Sequence, residues 1–365
     1  MRESGILMHI TSLPGPYGIG TMGKNAYRFV DFLAASGQAY WQILPLTPTG
    51  YGDSPYQSFS ACAGNHYLLD LDTLVEEGLL KKEEVTAIHW GGDPERVDFS
   101  VMYTQRSKLL GLACSRFVPD AGYEAFVQEN EAWLADYALF MALKGEMGGK
   151  PWLEWPEELM RHDEAALAAK GQELQAEVVL QYFLQYQFHR QWQRLRSYAN
   201  KKGIRIIGDV PIYVPLDSAD VWAVPELFQL DENRRPQVVA GCPPDAFTQE
   251  GQLWGNPIYN WQALADTGYA WWIKRLTAAA KMYDMIRFDH FRGFESYWAV
   301  PAGDKTARNG KWVKGPGLSF LRAIQLALPE LPFIAEDLGY MTPEVRRLQL
   351  DSGYPGMKVL EFAFD

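Results

Sequence analysis

The 365-residue chain has little of what marks several large protein classes. Cysteine occurs three times, at Cys62, Cys114 and Cys242, and no two of these residues are close in sequence. A disulfide framework and a cysteine metal site are therefore not expected, and a reducing cytoplasm suits this composition. No apolar run approaches the roughly 18 to 20 residues of a membrane-spanning helix. The first ten residues, MRESGILMHI, lack the unbroken apolar stretch of a signal peptide.

Positive charge is scarce as well. Lys and Arg together number 34 against 45 Asp and Glu, which gives a net charge of −11. Neither nucleic acid nor an anionic membrane is an expected partner of so acidic a chain. No Walker motif occurs, and the GxGxxG match at 18–23 does not directly follow a predicted strand, which argues against a nucleotide-binding protein. The histidines show no metal-binding spacing, so no metal and no cofactor is expected.

Aromatic residues, in contrast, are abundant, with 13 Trp, 19 Tyr and 18 Phe. Such an excess can simply fill a core. It can also supply the flat stacking surfaces that sugar rings need, because a pyranose has an apolar face and polar edges.

Short apolar runs bounded by turn residues recur along the chain and predict buried strands. Stretches with helical spacing of apolar residues follow most of them, at residues 25–36, 271–283 and 318–328. Strands that alternate with helices indicate an α/β protein with a parallel sheet, either closed into a barrel or doubly wound. The predicted strands cover residues 6–10, 40–46, 204–214, 285–289, 332–337 and 357–364.

Two regions depart from this alternation. Residues 68–190 are rich in Glu, Ala, Leu and Gln and predict a mainly helical subdomain inserted after the second strand. Residues 217–261 have weak periodicity and many Gly and Pro, which is typical of a long functional loop region. Six strands are predicted where a (β/α)8 barrel needs eight. We therefore expect residues 1–365 to form a partial catalytic barrel of a longer enzyme.

Three successive predicted strands end in carboxylates, in the segments GDVP, MIRFDH and FIAED. In parallel α/β folds the ligand lies at the carboxyl ends of the strands. Asp209, Asp289 and Glu336 are therefore expected on one rim of the sheet. Charged residues are rare inside strands, so this repeated placement points to a site.

The alternation within MIRFDH predicts how these groups differ. Arg287 and Asp289 are two residues apart and should project to the same face of the strand. A neighbouring arginine keeps a carboxylate ionised, whereas the apolar residues before Glu336 favour its protonated form. One ionised and one protonated carboxyl group, about 5 to 5.5 Å apart, are typical of retaining glycosyl transfer. The alternative is that Arg287 and Asp289 form only a local structural ion pair.

Long motifs give the sequence a specific resemblance over essentially all of its length. It closely resembles the amylomaltases, the 4-α-glucanotransferases of glycoside hydrolase family 77, a branch of the α-amylase superfamily with a (β/α)8 fold. The motifs are SLPGPYGIG at 12–20, WQILPLTPTGYGDSPYQSFSACAGNHYLL at 41–69, GDVPIYV at 208–214, GCPPDAF at 241–247, GQLWGNPIY at 251–259, IRFDHFRGF at 286–294 and IAEDLG at 334–339.

The resemblance implies a role for individual residues. Asp289 would be the nucleophile, Glu336 the general acid and then base, and Arg287 the residue that keeps Asp289 charged. Six further residues would contact the glucan. These are His290 at the bound glucose, Asp209 at sugar hydroxyls next to the cleaved bond, Asp245, Trp254 and Asn256 on the acceptor side, and Tyr56 near the donor.

Structural interpretations of some of these residues stay open. His290 can be a packed strand residue, Trp254 can anchor a loop and Tyr56 can stabilise a turn. The family also has a third catalytic aspartate, in a His-Asp-Asn motif, and no His-Asp pair occurs after Glu336. We therefore expect this 365-residue chain alone to be inactive.

The resemblance implies transfer of α-1,4-glucan segments between maltooligosaccharide donors and acceptors in the cytoplasm. Two alternatives share the same carboxylates. One is a retaining α-glucan hydrolase, and the other is an inactive fragment that only binds glucan.

Overall fold

The computed structural model describes residues 3–93, 95–245 and 248–360. Its contacts divide the chain into two compact units, Met1–Ile206 and Ile207–Asp365. The first unit opens with β1 (Gly5–Leu7), helix α1 (Lys24–Ala35) and β2 (Tyr40–Gln42), and β1 pairs with β2 in parallel. Helix α1 buries Ala26, Val30 and Leu33, which lie on one face at helical spacing. The helix predicted at residues 25–36 is thus confirmed.

From Leu71 onward the first unit is mainly helical. The two long helices, α6 (Ala121–Glu146) and α9 (Gln175–Lys201), pack along each other and bury aromatic side chains such as Phe140 and Trp192. Asp120 caps α6, because its carboxylate accepts a hydrogen bond from the Tyr123 N–H. The helices are α2 (Leu71–Glu76), α3 (Lys82–Thr86), α4 (Phe99–Val101), α5 (Ser107–Arg116), α6 (Ala121–Glu146), α7 (Glu157–Met160), α8 (Glu164–Glu173) and α9 (Gln175–Lys201).

Strand β3 (Arg205–Pro211) carries the chain into the second unit, whose parallel strands hold the predicted carboxylates. Strand β6 (Met285–Asp289) pairs in parallel with β3 and also with β9 (Phe333–Ala335). The later strands are β4 (Val238–Cys242), β5 (Gln252–Pro257), β6 (Met285–Asp289), β7 (Ser296–Pro301), β8 (Lys311–Lys314) and β9 (Phe333–Ala335).

An antiparallel sheet with the order β5-β4-β7-β8 accompanies the parallel strands. Its strands β4 and β5 correct the expectation of one long loop over residues 217–261, which also contain helix α10 (Ala219–Ala223) and end where α11 (Trp261–Asp266) begins. Strands β4 and β5 escape sequence detection because glycine and proline interrupt them. Strand β4 also pairs with a strand distant in sequence, as between Gly241 and Trp298.

Helices α12 (Ala270–Met282), α13 (Gly317–Ala327) and α14 (Pro343–Ser352) complete the second unit. The first two confirm the helices predicted at residues 271–283 and 318–328. The sixth predicted strand is not found in residues 357–360, where the backbone is irregular. Its remaining residues, 361–364, lie outside the described part of the chain. The Met357 N–H instead donates a hydrogen bond to Asp337 Oδ1.

The α/β class predicted from the sequence is confirmed, since parallel strands alternate with helices. Within the described residues, no helix combines the length and the apolar composition needed to cross a bilayer.

Candidate active site

Arg287 connects two carboxylates at the ends of β3 and β6. Its Nη1 donates hydrogen bonds to Asp209 Oδ1 at 2.6 Å and to Asp289 Oδ1 at 2.9 Å. The parallel register places Asp209 directly beside Arg287. Asp289 follows two residues after Arg287 and projects to the same face, as the alternation predicted.

Local sequence explains how β3 brings Asp209 to this position. The residue before it, Gly208, lies against the ring of Tyr283, and an added Cβ would come within 2.1 Å of Tyr283 Cγ. Only glycine allows this close approach. The side chain of Asp209 is 3% exposed and that of Arg287 is 13% exposed. A carboxylate buried this deeply needs a charged partner, which Arg287 supplies.

The positive charge of Arg287 and the negative charges of Asp209 and Asp289 stabilise one another. Burial alone would lower the pKa of Arg287, but the carboxylates of Asp209 and Asp289 raise it well above its usual value. Arg287 is therefore a permanent cation beside Asp289. The Asp289 side chain remains 31% exposed, so one carboxylate of the cluster is accessible from solvent.

Glu336 follows β9 directly and adjoins the end of β6. Phe288 pairs with Ala335, so the next step of the same parallel register sets Asp289 beside Glu336. The Glu336 N–H donates to the Phe288 carbonyl at 3.0 Å. The Glu336 carboxylate accepts from the His290 N–H at Oε2 and from the Leu338 N–H at Oε1, both at 2.8 Å.

These surroundings raise the pKa of Glu336. Burial is the largest cause, and the negative charge of Asp289 acts in the same direction. The two backbone hydrogen bonds and the charge of Arg287 oppose the shift without cancelling it. The surroundings of the two carboxyl groups therefore differ. Asp289 is paired with an arginine, which suits a nucleophile, and Glu336 is partly buried, which suits a general acid.

His290 has a left-handed backbone, with φ of +54° and ψ of +48°. Non-glycine residues seldom adopt this conformation, and it often marks a functional site. Burial, aided by the charge of Arg292, lowers the pKa of His290 to about 3, so the imidazole is neutral near neutral pH.

Trp254 lies beside His290. The two rings meet edge to face, with centroids 4.8 Å apart and planes at 89°. Trp254 and Asn256 both belong to β5, where Asn256 is buried and Trp254 is half-buried. The structure thus brings Trp254 to the residue that follows Asp289.

Asp245 and Tyr56 lie on loops, outside strands β3, β6 and β9. Asp245 is exposed, and its carboxylate accepts a hydrogen bond of 2.8 Å from the Thr248 N–H. Tyr56 belongs to the first unit, in a turn where its N–H donates to Ser54 Oγ at 3.2 Å. Their roles toward the glucan stay predictions.

Arg292 is a further residue of this region that the sequence analysis missed. It is 5% exposed, its Nη1 donates to the Tyr340 carbonyl, and its guanidinium lies 3.8 Å from the centre of the Trp312 ring. No periodicity in HFRGF reveals these partners, because they come from other elements. In the described ranges, no group of three or more His, Cys, Asp and Glu side chains could bind a metal ion.

Comparisons with known proteins agree with this geometry. The family model of glycoside hydrolase family 77, described as 4-alpha-glucanotransferase, matches residues 8–365. The 4-alpha-glucanotransferase of Streptococcus pneumoniae is 52% identical over 368 residues, covering 100% of this chain and 73% of the relative. That of Thermus thermophilus is 51% identical over 371 residues, with the same two coverages.

Solved structures show the same likeness. The amylomaltase from Streptococcus agalactiae in complex with acarbose is 47% identical, with a TM-score of 0.97 over 100% of this chain and 74% of that one. The amylomaltase from Corynebacterium glutamicum, at 20% identity and a TM-score of 0.76, covers 97% of this chain and 50% of its own and shows the shared fold. These matches confirm the predicted (β/α)8 fold type. With the family match, they show that the chain belongs to the 4-alpha-glucanotransferases of glycoside hydrolase family 77.

Proposed function

We propose that Asp289 and Glu336 transfer α-1,4-glucan segments between maltooligosaccharides by a retaining double displacement. One observation carries the proposal. The two carboxyl groups lie at the ends of adjacent parallel strands, one paired with Arg287 and the other with its pKa raised by burial. A carboxylate beside an arginine suits a nucleophile, and a carboxyl group whose pKa is raised suits a general acid.

In the first step, Glu336 gives its proton to the glycosidic oxygen while an Asp289 oxygen attacks the anomeric carbon. The bond from that carbon to the leaving oxygen breaks, and a glucosyl ester forms on Asp289. Because Asp289 Oδ1 accepts a hydrogen bond from Arg287, we assign the attack to Oδ2. The shortened donor leaves with the proton of Glu336.

In the second step, the Glu336 carboxylate takes the proton of an acceptor 4-hydroxyl as that oxygen attacks the anomeric carbon of the glucosyl ester. The Asp289 carboxylate leaves, and the original anomeric configuration is restored. Water in place of the sugar hydroxyl would give hydrolysis. Family membership favours transfer.

Neighbouring residues supply the proposed sugar contacts. His290 and Asp209 adjoin the reacting pair, which supports contacts to the glucose and its hydroxyls. Trp254 packs on His290, and Asn256 shares its strand, which supports a place for both on the acceptor side. Asp245 is proposed for the same side and Tyr56 for the donor side, by the family resemblance alone.

Two further proposals concern the subdomain organisation and the location of the protein. The helices between residues 71 and 201 support an inserted helical subdomain over residues 68–190. The scarcity of cysteine supports a cytoplasmic location.

Product analysis of maltotriose with the full-length enzyme tests the activity. A transferase forms longer oligomers as well as glucose, whereas a hydrolase yields only glucose and maltose. Asp289→Ala should abolish both glucose release and chain lengthening. The control is Asp304→Ala, which changes an aspartate outside the site. Unchanged activity of Asp289→Ala would overturn the proposal.

A further inference from the structure

The loop after β9 positions Glu336. Its near end is anchored by Asp337, whose carboxylate accepts hydrogen bonds from the Met357 N–H and from the Gln349 and Lys358 side chains, whereas its far end, at residues 339–340, is exposed. Glu336 Oε1 accepts the Leu338 N–H, so the acid depends on how the backbone of its own loop is placed. Gly339 follows with φ of +82°, a conformation that favours glycine. The Tyr340 side chain is 70% exposed and therefore contributes little packing.

Arg292, in the segment that follows β6, binds this loop. Its Nη1 donates a hydrogen bond to the Tyr340 carbonyl, and its Nη2 donates to Ser296 Oγ at 3.0 Å. The guanidinium stacks on the Trp312 ring of β8, 3.8 Å from its centre. One planar side chain thus connects β7, β8 and the loop that carries the acid.

The burial of Arg292 argues against a simple stabilising role. Both of its hydrogen-bond acceptors named above are neutral, and its Nε has no hydrogen-bond partner among the described residues. Burying a cation without a directly bonded carboxylate is costly. The planar fork of arginine suits this position, because lysine cannot donate in two fixed directions and stack at once.

We propose that Arg292 is a positioning residue for the general acid, anchoring the loop after β9 so that Glu336 stays beside Asp289. The inference rests on the proposed function and adds a residue to it. Arg292 acts through the peptide of residues 338–340 and contacts no reacting atom. Displacement of an acid by about 1 Å can cost a factor of about 100 in rate.

Arg292→Met in the intact protein tests the inference. We expect kcat for maltotriose to fall about 10- to 100-fold, with KM close to that of the unmodified protein. The alkaline limb of kcat/KM should also move to higher pH, because a Leu338 N–H that no longer reaches Glu336 no longer favours its ionised form. Arg292→Lys keeps the charge and should show an intermediate loss. It replaces Arg292→Met should that variant fail to fold.

The control is Arg347→Met, which removes an arginine whose side chain is 76% exposed on α14. It should leave kcat and the pH profile unchanged. Variants of Arg292 that lower only the melting temperature, with normal kcat and an unmoved alkaline limb, would overturn the inference. Glu336→Gln distinguishes a failure of the Arg292 inference from a failure of the proposed function. An inactive Glu336→Gln beside normal Arg292 variants refutes the anchor alone, whereas an active Glu336→Gln refutes the proposed function.

Discussion

The His290 N–H donates a hydrogen bond of 2.8 Å to Glu336 Oε2 and so connects the ends of strands β6 and β9. His290 directly follows Asp289, so this bond fixes the proposed acid relative to the proposed nucleophile. The left-handed backbone of His290 belongs to the same arrangement. The unusual backbone conformation of His290 thus occurs where the Asp289 and Glu336 carboxyl groups come together.

Replacing Glu336 by Gln should remove proton donation while preserving shape. We expect kcat for maltotriose to fall about 10²- to 10⁴-fold. A glucosyl fluoride donor, whose leaving group needs no proton, should still react with Asp289. The control is Glu330→Gln, an exposed residue of the same unit. Equal losses with maltotriose and with the fluoride would contradict the role of Glu336 as an acid.

The raised pKa of Glu336 predicts a pH-dependent contribution to stability. The native protein keeps this proton to higher pH than the unfolded chain, whose glutamate has a pKa near 4.5. Glu336 therefore stabilises the fold fully below that value, and the contribution disappears as pH rises through the raised pKa. Urea unfolding can compare the unmodified protein with Glu336→Gln at about pH 5 and about pH 8. The unfolding free energy of the unmodified protein should fall relative to that of the variant as the pH rises. A constant difference would count against the shift.

Arg287→Met should destabilise the protein, since it leaves Asp209 buried without its cation. The expected loss in unfolding free energy is about 3 to 5 kcal/mol. Adding Asp209→Asn should recover part of it, because the uncompensated charge is then gone. Arg347→Met, which removes an exposed arginine, should cost no more than about 0.5 kcal/mol. Additive effects of the two site substitutions would contradict the buried ion pair.

His9 should make the protein acid-sensitive. It is 9% exposed, and burial lowers its pKa to about 4 from a usual value of 6.5. Below pH 6.5 the unfolded chain binds a proton at His9 and the native state does not. The unfolding free energy therefore falls by about 1.4 kcal/mol for each unit that the pH is lowered, down to about pH 4. In urea unfolding, His9→Asn should reduce this slope, whereas His89→Asn, at an exposed position, should not. Equal slopes in both variants would contradict the assignment.

Part of the site follows from the sequence because parallel strands impose simple rules. Alternation along β6 puts Arg287 and Asp289 on one face, and the carboxyl ends of adjacent strands bring Asp289 and Glu336 together. The apolar residues before Glu336 correctly predict the direction of its pKa shift. These features depend only on neighbours in sequence or in register.

Other features depend on contacts that no local pattern encodes. Strands β4 and β5 are short and interrupted by glycine and proline, so only their antiparallel partners define them. The apolar run beginning at Met357 resembled a strand, but in residues 357–360 the backbone is irregular and the Met357 N–H binds Asp337. Arg292 escaped notice because Tyr340, which it anchors, lies 48 residues further along.

The most direct test of the central claim is the mass of the Glu336→Gln protein after reaction with α-glucosyl fluoride. The variant should accumulate the glucosyl ester, because it lacks the base that activates the acceptor. We expect the mass of one glycosyl group to be added, and peptide mapping to place it on Asp289. A glycosyl group on another residue, or none while the fluoride is consumed, would contradict Asp289 as the nucleophile.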